Sequence, residues 1–303
     1  MPDTVIIQNP KSGSGDHTEA VRKRAEVLGY PLEQTEKAND AILLAEEAAE
    51  AGASTIVAAG GDGTVNEVVR GIERAGALDG VTLGILPLGT GNNFAKHIGI
   101  TDIDTGFSVL EDGDRRRIDL GLANDTPFVN SCVTGLTAQS SSETTPEMKE
   151  RLGMLAYVLT TLRSISEFES PPLEVDIEED GAETTAWTGE ALCVLVGNGR
   201  RFLTAGDNQA NMEDGLFDIT VIEDVPTLDL MGDAVIERLL GQDSGAVTQL
   251  KTPSLTIITR NPEPIRFSLD GEIIQQRELS LDTHPRTLSV AVGDGYSRNP
   301  DGG

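Results

Sequence analysis

Three glycine-rich segments near the start of the chain carry residue types that bind phosphate groups. They are Asn9-Pro10-Lys11-Ser12-Gly13, Gly60-Gly61-Asp62-Gly63-Thr64 and Pro87-Leu88-Gly89-Thr90-Gly91-Asn92. Glycines let backbone amides approach anionic oxygens closely, and a helix that follows such a turn adds its positive N-terminal end. The three segments therefore indicate a site for nucleotide phosphates.

The acidic side chain at the centre of the second segment, Asp62, requires an explanation, because a carboxylate repels phosphate at short range. A bound Mg²⁺ ion would remove this repulsion, since it links carboxylates to phosphate oxygens, usually through water. The alternative is that Asp62 only makes a turn hydrogen bond. The two other glycine segments favour the Mg²⁺ interpretation. Asn66 and Glu67, one helical turn further, can reach ribose or metal-bound water, although Glu67 can equally complement the helix dipole.

The elements that position these segments follow the pattern of an open α/β sheet, in which short apolar runs, glycine turns and helical periodicity alternate. Strands are predicted at 5–8, 55–59 and 82–86, and each of them ends at one glycine segment. Helices are predicted at about 17–28 and 40–51, and a third helix follows the second glycine segment. Because ligands in such sheets bind at the carboxyl ends of the strands, we expect the three segments to meet.

After about residue 122, strand-like runs dominate, which predicts a mostly antiparallel β-sandwich or barrel. The runs are 173–177, 191–196, 216–222, 255–259, 265–269 and 287–292. Helices are predicted at 148–162 and 228–239, and the tail after about 294 is expected to have little regular structure. We expect an α/β domain at 1–122 that binds nucleotide phosphates and a β-sandwich domain at 123–289 that binds the other substrate, with a segment at about 290–303 packing back on the first domain.

The charge balance limits the classes of partner. The chain has 50 acidic and 23 basic residues and a formal charge of -27, which disfavours binding to nucleic acid. No segment approaches the ~20 apolar residues of a membrane-spanning helix, and the first residues lead into a strand without a signal segment. A cytoplasmic protein is therefore expected. Cys132 and Cys193 are too few for a disulfide framework and are expected to be buried apolar residues.

The three glycine segments together resemble the diacylglycerol kinase catalytic family, which includes sphingosine and ceramide kinases and soluble bacterial lipid kinases. The resemblance continues through Ile118-Asp119-Leu120-Gly121, Glu213-Asp214-Gly215-Leu216-Phe217 and Leu269-Asp270-Gly271-Glu272, so that it spans nearly the whole chain. It implies an α/β nucleotide-binding domain with glycine-rich phosphate loops, a mostly antiparallel β-sandwich domain, and an active site in the cleft between them. The implied reaction is Mg²⁺-assisted transfer of the γ-phosphate of ATP to a hydroxyl of diacylglycerol or a related glycerolipid.

The resemblance also implies roles for individual residues. Contacts with ATP are implied for Asn9, Pro10, Lys11, Ser12, Gly13, Thr35, Gly61, Asp62, Gly63, Thr64, Val65, Asn66, Glu67 and Thr90. The catalytic Mg²⁺ would be organised by Asp62 and, through water, by Asp119. A second, structural Mg²⁺ would be bound by the Asp214 side chain, with backbone carbonyls of Asn211 and Leu216.

The triplet Asp270-Gly271-Glu272 is a candidate source of the general base, because phosphoryl transfer needs a carboxylate that accepts the hydroxyl proton. By resemblance Asp270 is the first choice. Glu272 is the second, because residues two apart on a strand face the same side. The alternative is a simple hairpin turn. Asn93 stands where many relatives have Asp, so it is not included among the metal ligands.

Two rival functions remain open. NAD kinase shares the Gly-Gly-Asp-Gly motif, but the first and third glycine segments favour a lipid kinase. The other rival is a regulatory nucleotide-binding protein without catalysis. The retained acidic residues argue against this function, whereas Asn93 keeps it open. We expect a lipid partner at a membrane surface and transient membrane association, with helix 148–168 lining an apolar groove. Hypothetical membrane contacts are Lys149, Arg151, Arg163, Arg200 and Arg201. The lipid's identity is left open, and a homo-oligomer remains an alternative.

Overall fold

The computed structural model of the protein describes residues 3–13, 17–135, 170–179, 182–202, 209–224 and 246–300. The helices in these ranges are α1 (Thr18–Leu28), α2 (Asp40–Glu50), α3 (Asp62–Arg74), α4 (Asn93–His97) and α5 (Ile103–Asp112). The strands are β1 (Thr4–Gln8), β2 (Leu32–Gln34), β3 (Thr55–Gly60), β4 (Thr82–Pro87), β5 (Asp114–Ala123), β6 (Thr126–Phe128), β7 (Ser131–Gly135), β8 (Pro172–Glu179), β9 (Ala182–Gly197), β10 (Phe217–Glu223), β11 (Val247–Thr252), β12 (Ser254–Thr259), β13 (Ile265–Leu269), β14 (Glu272–Gln276) and β15 (Glu278–Val292). The predicted helices at 148–168 and 228–239 lie outside the described residues. No helix within the described ranges is long and apolar enough to cross a bilayer.

The first part of the chain forms a parallel sheet in the order β2-β1-β3-β4. Successive side chains of a strand point to opposite faces, so Ile7 packs with α2 and α3 whereas Ile6 packs with α1 and α5. Both faces are therefore covered, which is why β1, β3 and β4 are apolar along almost their whole length. The predicted α/β architecture is confirmed.

The second part is mostly antiparallel, as predicted. Strand β9 pairs with β7, β8 and β10, while β13 pairs with β7 and β14. Their inner side chains form a core in which the rings of Phe128 and Phe217 stack with centroids 5.7 Å apart. Cys132 and Cys193 are both buried, as expected.

Strand β15 connects the two parts of the fold. It pairs antiparallel with β12 and β5, and it pairs in parallel with β4 through Ser289 and Val290. The predicted strand at 287–292 is thus only the end of a 15-residue strand. Val292 lies in the core of the parallel sheet, and Tyr296 packs against that core, so the chain is anchored there as far as residue 296. The division into domains at 1–122 and 123–289 stays a prediction.

Strand β5 is an element that the sequence pattern did not predict. It begins with a charged run, and such residues are uncommon in strands. The structure explains them: Arg116 pairs with Glu213, and Arg117 pairs with Asp79. Tertiary ion pairs therefore offset the weak strand propensity of this segment.

Candidate active site

The three glycine segments lie side by side at the carboxyl ends of β1, β3 and β4. The amide of Asn9 donates to the Ala59 carbonyl at 2.9 Å, and the amide of Leu88 donates to the Gly60 carbonyl at 2.9 Å. A Cβ atom on Gly89 would lie 2.5 Å from Cα of Gly61, which is too close for any other residue type. The segments thus form one continuous backbone surface at the edge of the sheet.

The first glycine segment is tied to its neighbours by polar side chains. Asn9 accepts a hydrogen bond from the Lys11 amide at 3.0 Å, and its Nδ2 donates to Oγ1 of Thr64 at 3.4 Å. Lys11 donates through Nζ to the Glu36 carbonyl at 3.0 Å. Buried Thr35 lies beside this segment, because its amide donates to the Gln8 carbonyl at the end of β1. The structure therefore brings together the candidate ATP contacts from these three parts of the chain.

Pro10, Ser12 and Gly13 complete the first segment, and Ser12 donates from its amide to the Asn9 carbonyl at 3.2 Å. Gly13 has a φ of +61°, and a Cβ there would lie 2.3 Å from the Leu88 carbonyl oxygen. Thr90 is exposed on the third segment and lines a groove of about 340 Å³ together with Gly13. The first and third segments thus share one opening to solvent.

Asp62 is the first residue of α3, and its carboxylate faces the start of α4. Oδ1 accepts from the Phe94 amide at 2.9 Å, while Oδ2 accepts from the amide of Asn93 at 3.1 Å and from its Nδ2 at 3.4 Å. A carboxylate at position 93 would repel Asp62, whereas the Asn93 amide donates to it. The departure at Asn93 therefore supports the position of Asp62.

The other candidate residues at the start of α3 have different environments. Gly63 is exposed, and a Cβ atom there would have no neighbour within 4 Å. Val65 is buried in the core of the parallel sheet, so its side chain does not face the glycine segments. Glu67 accepts from the Asn39 amide at 3.4 Å, at the beginning of α2, and burial raises the pKa of its carboxyl group. Glu67 thus interacts with the N-terminus of α2.

A stripe along α3 connects the glycine segments with the predicted base. Its members, Asp62, Asn66 and Arg70, are four residues apart and so lie on one face of the helix. Asn66 donates through Nδ2 to Oδ2 of Asp270 at 3.1 Å and to the Pro127 carbonyl at 3.2 Å. Arg70 forms an ion pair with Glu272. Arg70 belongs to no glycine motif, and the only sign of it in the sequence is its spacing of four residues from Asn66.

Asp270 lies half-buried in the turn between β13 and β14, where its φ is +48°. Its Oδ1 accepts from the amides of Asn130 at 2.9 Å and Ser131 at 2.8 Å. Its Oδ2 accepts from the Val129 amide at 2.7 Å and from Asn66. Burial raises the pKa of Asp270, while these hydrogen bonds oppose the rise. Four donors occupy the sites at which a carboxylate accepts hydrogen bonds.

Glu272 has a different environment from Asp270. It is the first residue of β14, and its side chain is 50% exposed. The expectation that the two carboxylates share one side of a strand was wrong, because Asp270 lies in the turn and not in a strand. Glu272 is thus the more exposed of the two carboxylates.

Asp119 is buried beside the Asn211–Leu216 loop. Its carboxylate accepts from the Gly215 amide at 2.7 Å and from the Arg286 amide at 2.8 Å, and its own amide donates to the Met212 carbonyl at 2.7 Å. Burial raises the pKa of the Asp119 carboxyl group. The proposed water-mediated link between Asp119 and a catalytic metal stays a prediction.

Asp214, the predicted side-chain ligand of the structural Mg²⁺, already has a cation beside it. The Lys251 ammonium group lies 3.4 Å from Asp214 and 3.5 Å from Asp218. Oδ1 of Asp214 accepts from the Leu216 amide at 3.0 Å, and Oδ1 of Asn211 accepts from the Glu213 amide at 3.1 Å. Because an ammonium group repels a divalent ion, Lys251 would compete with Mg²⁺ for Asp214, and the structural Mg²⁺ stays a prediction. In the described ranges, no group of three or more His, Cys, Asp or Glu residues is placed to bind a metal.

The two arginines that were predicted to face a membrane differ in their surroundings. The guanidinium group of Arg200 lies 4.9 Å from the ring centroid of Phe202, and burial lowers its pKa. Arg201 donates through Nε to the Gln209 carbonyl at 3.0 Å. The three candidate basic residues at 149, 151 and 163 lie outside the described residues.

The two parts of the chain match two known domain families. Residues 3–123 match the diacylglycerol kinase catalytic domain, and residues 130–292 match the YegS C-terminal NAD kinase beta sandwich-like domain. A crystal structure of a "putative diacylglycerol kinase" from Bacillus anthracis has a TM-score of 0.76 at 24% identity, covering 97% of this chain and 96% of the other. The likeness to that structure establishes the shared fold.

Two named lipid kinases are similar to this protein over almost the whole chain. A protein of Pseudomonas aeruginosa named "Probable lipid kinase YegS-like" is 32% identical over 301 residues, covering 96% of this chain and 94% of the relative. The "Lipid kinase YegS" of Escherichia coli K12 is 30% identical over 300 residues, covering 95% of each chain. These relatives do not favour the NAD kinase alternative. The chain belongs to the YegS-like family of lipid kinases, which have a diacylglycerol kinase catalytic domain followed by a β-sandwich domain.

Proposed function

We propose that this kinase transfers the γ-phosphate of ATP to a hydroxyl group of diacylglycerol or a related glycerolipid. Membership in the lipid kinase family supports the reaction class. The observation that carries the proposal is the position of α3, which begins at the glycine segments and contacts both Asp270 and Glu272. One rigid helix thus relates the proposed phosphate site to the proposed base.

The phosphates of ATP bind to the glycine surface in this proposal. The amides of the first turn of α3 have no partners within the helix, so they can donate to phosphate oxygens, and the helix dipole favours the negative charge. Asn9, Ser12 and Thr90 border the same surface and add polar groups. Val65 packs in the core of the parallel sheet, and Glu67 binds the N-terminus of α2, so both hold α3 in place below this surface.

Asp62 is the residue that would hold Mg²⁺. Its carboxylate is partly exposed beside the glycine segments, and carboxylate and phosphate oxygens are the ligands that Mg²⁺ prefers. When bound, the ion supplies positive charge that offsets the charge of the phosphates. The loop of Asn211 and Leu216 is left out of the reaction, because Lys251 already neutralises Asp214.

Glu272 is favoured as the general base over Asp270. The four donors around Asp270 occupy its oxygens, whereas Glu272 is half exposed. In the reaction, the lipid oxygen forms a bond to the γ-phosphorus while the bond from that phosphorus to the bridging oxygen of ADP breaks. The hydroxyl proton passes to the Glu272 carboxylate. Asp270 fixes the turn before Glu272 by binding three successive amides, those of residues 129–131.

Lipid substrates reside in membranes, so the enzyme must associate transiently with a membrane surface to reach them. Net negative charge opposes adsorption to anionic lipids, which favours brief contact. The regulatory alternative rests on Asn93 alone. Because the Asn93 amide donates to Asp62, this substitution supports the acidic residue that catalysis requires.

The proposal is tested by transfer of labelled γ-phosphate from ATP, with and without Mg²⁺, to a panel of lipid extracts and to NAD. Wild type is compared with Glu272→Gln and Asp270→Asn. A labelled lipid that is lost in Glu272→Gln supports the proposal and identifies the acceptor. Labelled NADP would assign the protein to NAD kinases, and ATP binding without any labelled product would support the regulatory alternative.

A further inference from the structure

Arg70 is a charged residue of α3 that no glycine motif includes. Its guanidinium group pairs with the Glu272 carboxylate across a sequence separation of 202 residues. The Arg70 side chain is only 18% exposed, so packing restricts it, whereas Glu272 is 50% exposed. The more rigid partner of this pair is therefore the arginine.

The side chains of the strand that carries Glu272 have few neighbours, although its backbone pairs with β13. Strand β14 is largely exposed, Ile273 is 42% exposed, and Gly271 has a φ of +99° with no atom within 4 Å of where a Cβ would lie. A glutamate on such a strand samples several rotamers unless another group selects one. The ion pair with Arg70 selects one rotamer of Glu272.

Asp62 and Arg70 belong to the same helix, which fixes their separation. Eight residues of α-helix span about 12 Å, and this length does not change when ligands bind. Contact with Arg70 thus places the Glu272 carboxylate at a set distance from the glycine segments. The charges around this pair include Glu67, whose carboxylate interacts electrostatically with both Arg70 and Glu272.

We propose that Arg70 is a positioning residue for phosphoryl transfer, which holds the Glu272 carboxylate in line with the phosphate site. The inference rests on the proposed function, because it takes Glu272 as the base. Misplacement of a catalytic group by about 1 Å can lower a rate ~100-fold. Loss of Arg70 should therefore lower kcat by about 10- to 100-fold and leave KM for ATP within about twofold.

A double-mutant cycle tests this role in the full-length enzyme. The variants are Arg70→Met, Glu272→Gln and the two combined, with Arg70→Lys as the conservative change. Arg74→Met is the matched control, because Arg74 lies one turn further along α3 and is exposed. We expect Arg70→Met to be slow, Arg70→Lys to recover part of the rate, Arg74→Met to resemble wild type, and Arg70→Met to have no further effect in the Glu272→Gln background.

Two results would overturn the inference: an Arg70→Met enzyme as fast as Arg74→Met, or an Arg70→Met change that slows both backgrounds equally. Full activity of Glu272→Gln would overturn the assignment of the base and, with it, this role of Arg70. Hydrogen–deuterium exchange of residues 271–277 provides a readout without turnover, so it decides even if wild type phosphorylates no lipid. Faster exchange in Arg70→Met than in Arg74→Met supports the positioning role, and equal exchange contradicts it.

Discussion

The side-chain amide of Asn66 donates to Oδ2 of Asp270 at 3.1 Å, although the two residues are 204 positions apart. This contact connects α3, the helix that follows the second glycine segment, to the turn between β13 and β14. A buried carboxylate requires such donors, because an unsatisfied charged group inside a protein is strongly destabilising.

Substitutions of Asn66 test the importance of this contact. Asn66→Ala removes one of four donors to Asp270, so it should lower the free energy of unfolding by about 1–3 kcal/mol. Asn66→Asp should lower it further at neutral pH, because it places a second carboxylate beside a buried one. Urea unfolding measures both changes. Equal stability of Asn66→Asp and wild type at pH 7 would contradict the structure.

Replacement of Gly89 tests the close packing of the glycine segments. A Cβ at this position would meet the Gly61 backbone at 2.5 Å, so Gly89→Ala should destabilise the protein by about 1–3 kcal/mol. Gly80→Ala is the control, because the nearest atom to its Cβ would lie 3.9 Å away. Thermal unfolding should show a Tm below that of wild type only for Gly89→Ala. Equal Tm values of the two variants would contradict the prediction.

Substitution of Asn93 tests the metal preference of Asp62. In Asn93→Asp the amide donor is replaced by a second carboxylate, so without metal the two negative charges should repel and lower the Tm. Mg²⁺ should reverse this loss, because two carboxylates bind the ion better than one. Thermal unfolding with increasing Mg²⁺ should therefore raise the Tm more in Asn93→Asp than in wild type. The same Mg²⁺ response in both proteins would argue against metal at Asp62.

At the Asn211–Leu216 loop, we expect Lys251 to take the place of a metal ion. Because its ammonium group already lies beside Asp214 and Asp218, removal of divalent ions by EDTA should shift the Tm of wild type and of Asp214→Asn equally. Lys251→Met removes the positive charge beside these carboxylates, so its Tm should fall and should rise again with Mg²⁺. Lys23→Met, which alters an exposed pair on α1, serves as the control. A Tm that falls in EDTA and recovers with Mg²⁺ in wild type but not in Asp214→Asn would show that this loop binds metal.

The pH dependence of stability should reflect the contact of Arg116 with Glu213. Burial alone would raise the pKa of Glu213, but hydrogen bonds from Arg116 and Tyr296 hold it below the ordinary value of 4.5. A lowered carboxyl pKa contributes stability above pH 4.5 that is lost as the pH falls through the folded value. Glu213→Gln lacks this contribution. The difference in unfolding free energy between the two proteins should be about 1–3 kcal/mol at pH 7 and should shrink below pH 4.5; a constant difference would refute the assignment.

Local patterns in the sequence were sufficient to predict β1, β3 and β4 of the parallel sheet, but not the short polar strand β2. Each of the three is a short apolar run that leads into a glycine segment, and this signal depends only on neighbouring residues. Strand β5 escaped prediction because its charged residues are stabilised by partners far away in the chain, such as Glu213. Local propensity contains no information about such partners.

The candidate site was predictable to the same extent. Glycine spacing indicated that the three segments would meet, since glycine is required where backbones pack closely. The contrast between Asp270 and Glu272 was not predictable, because it depends on amides of residues 129–131 and on Arg70. These groups come together only after the hairpin docks on α3.

Strand β15 has a consequence for how the catalytic half of the enzyme can be studied and exchanged between relatives. A fragment of residues 3–123 would lack the strand that pairs with β4 and β5. The apolar edge of β4 would then be open to pairing with other chains, which is a common route to aggregation. Although the first 123 residues contain every glycine segment, they are not a transferable module, and a chimaera between two relatives must take β4, β5 and β15 from the same parent.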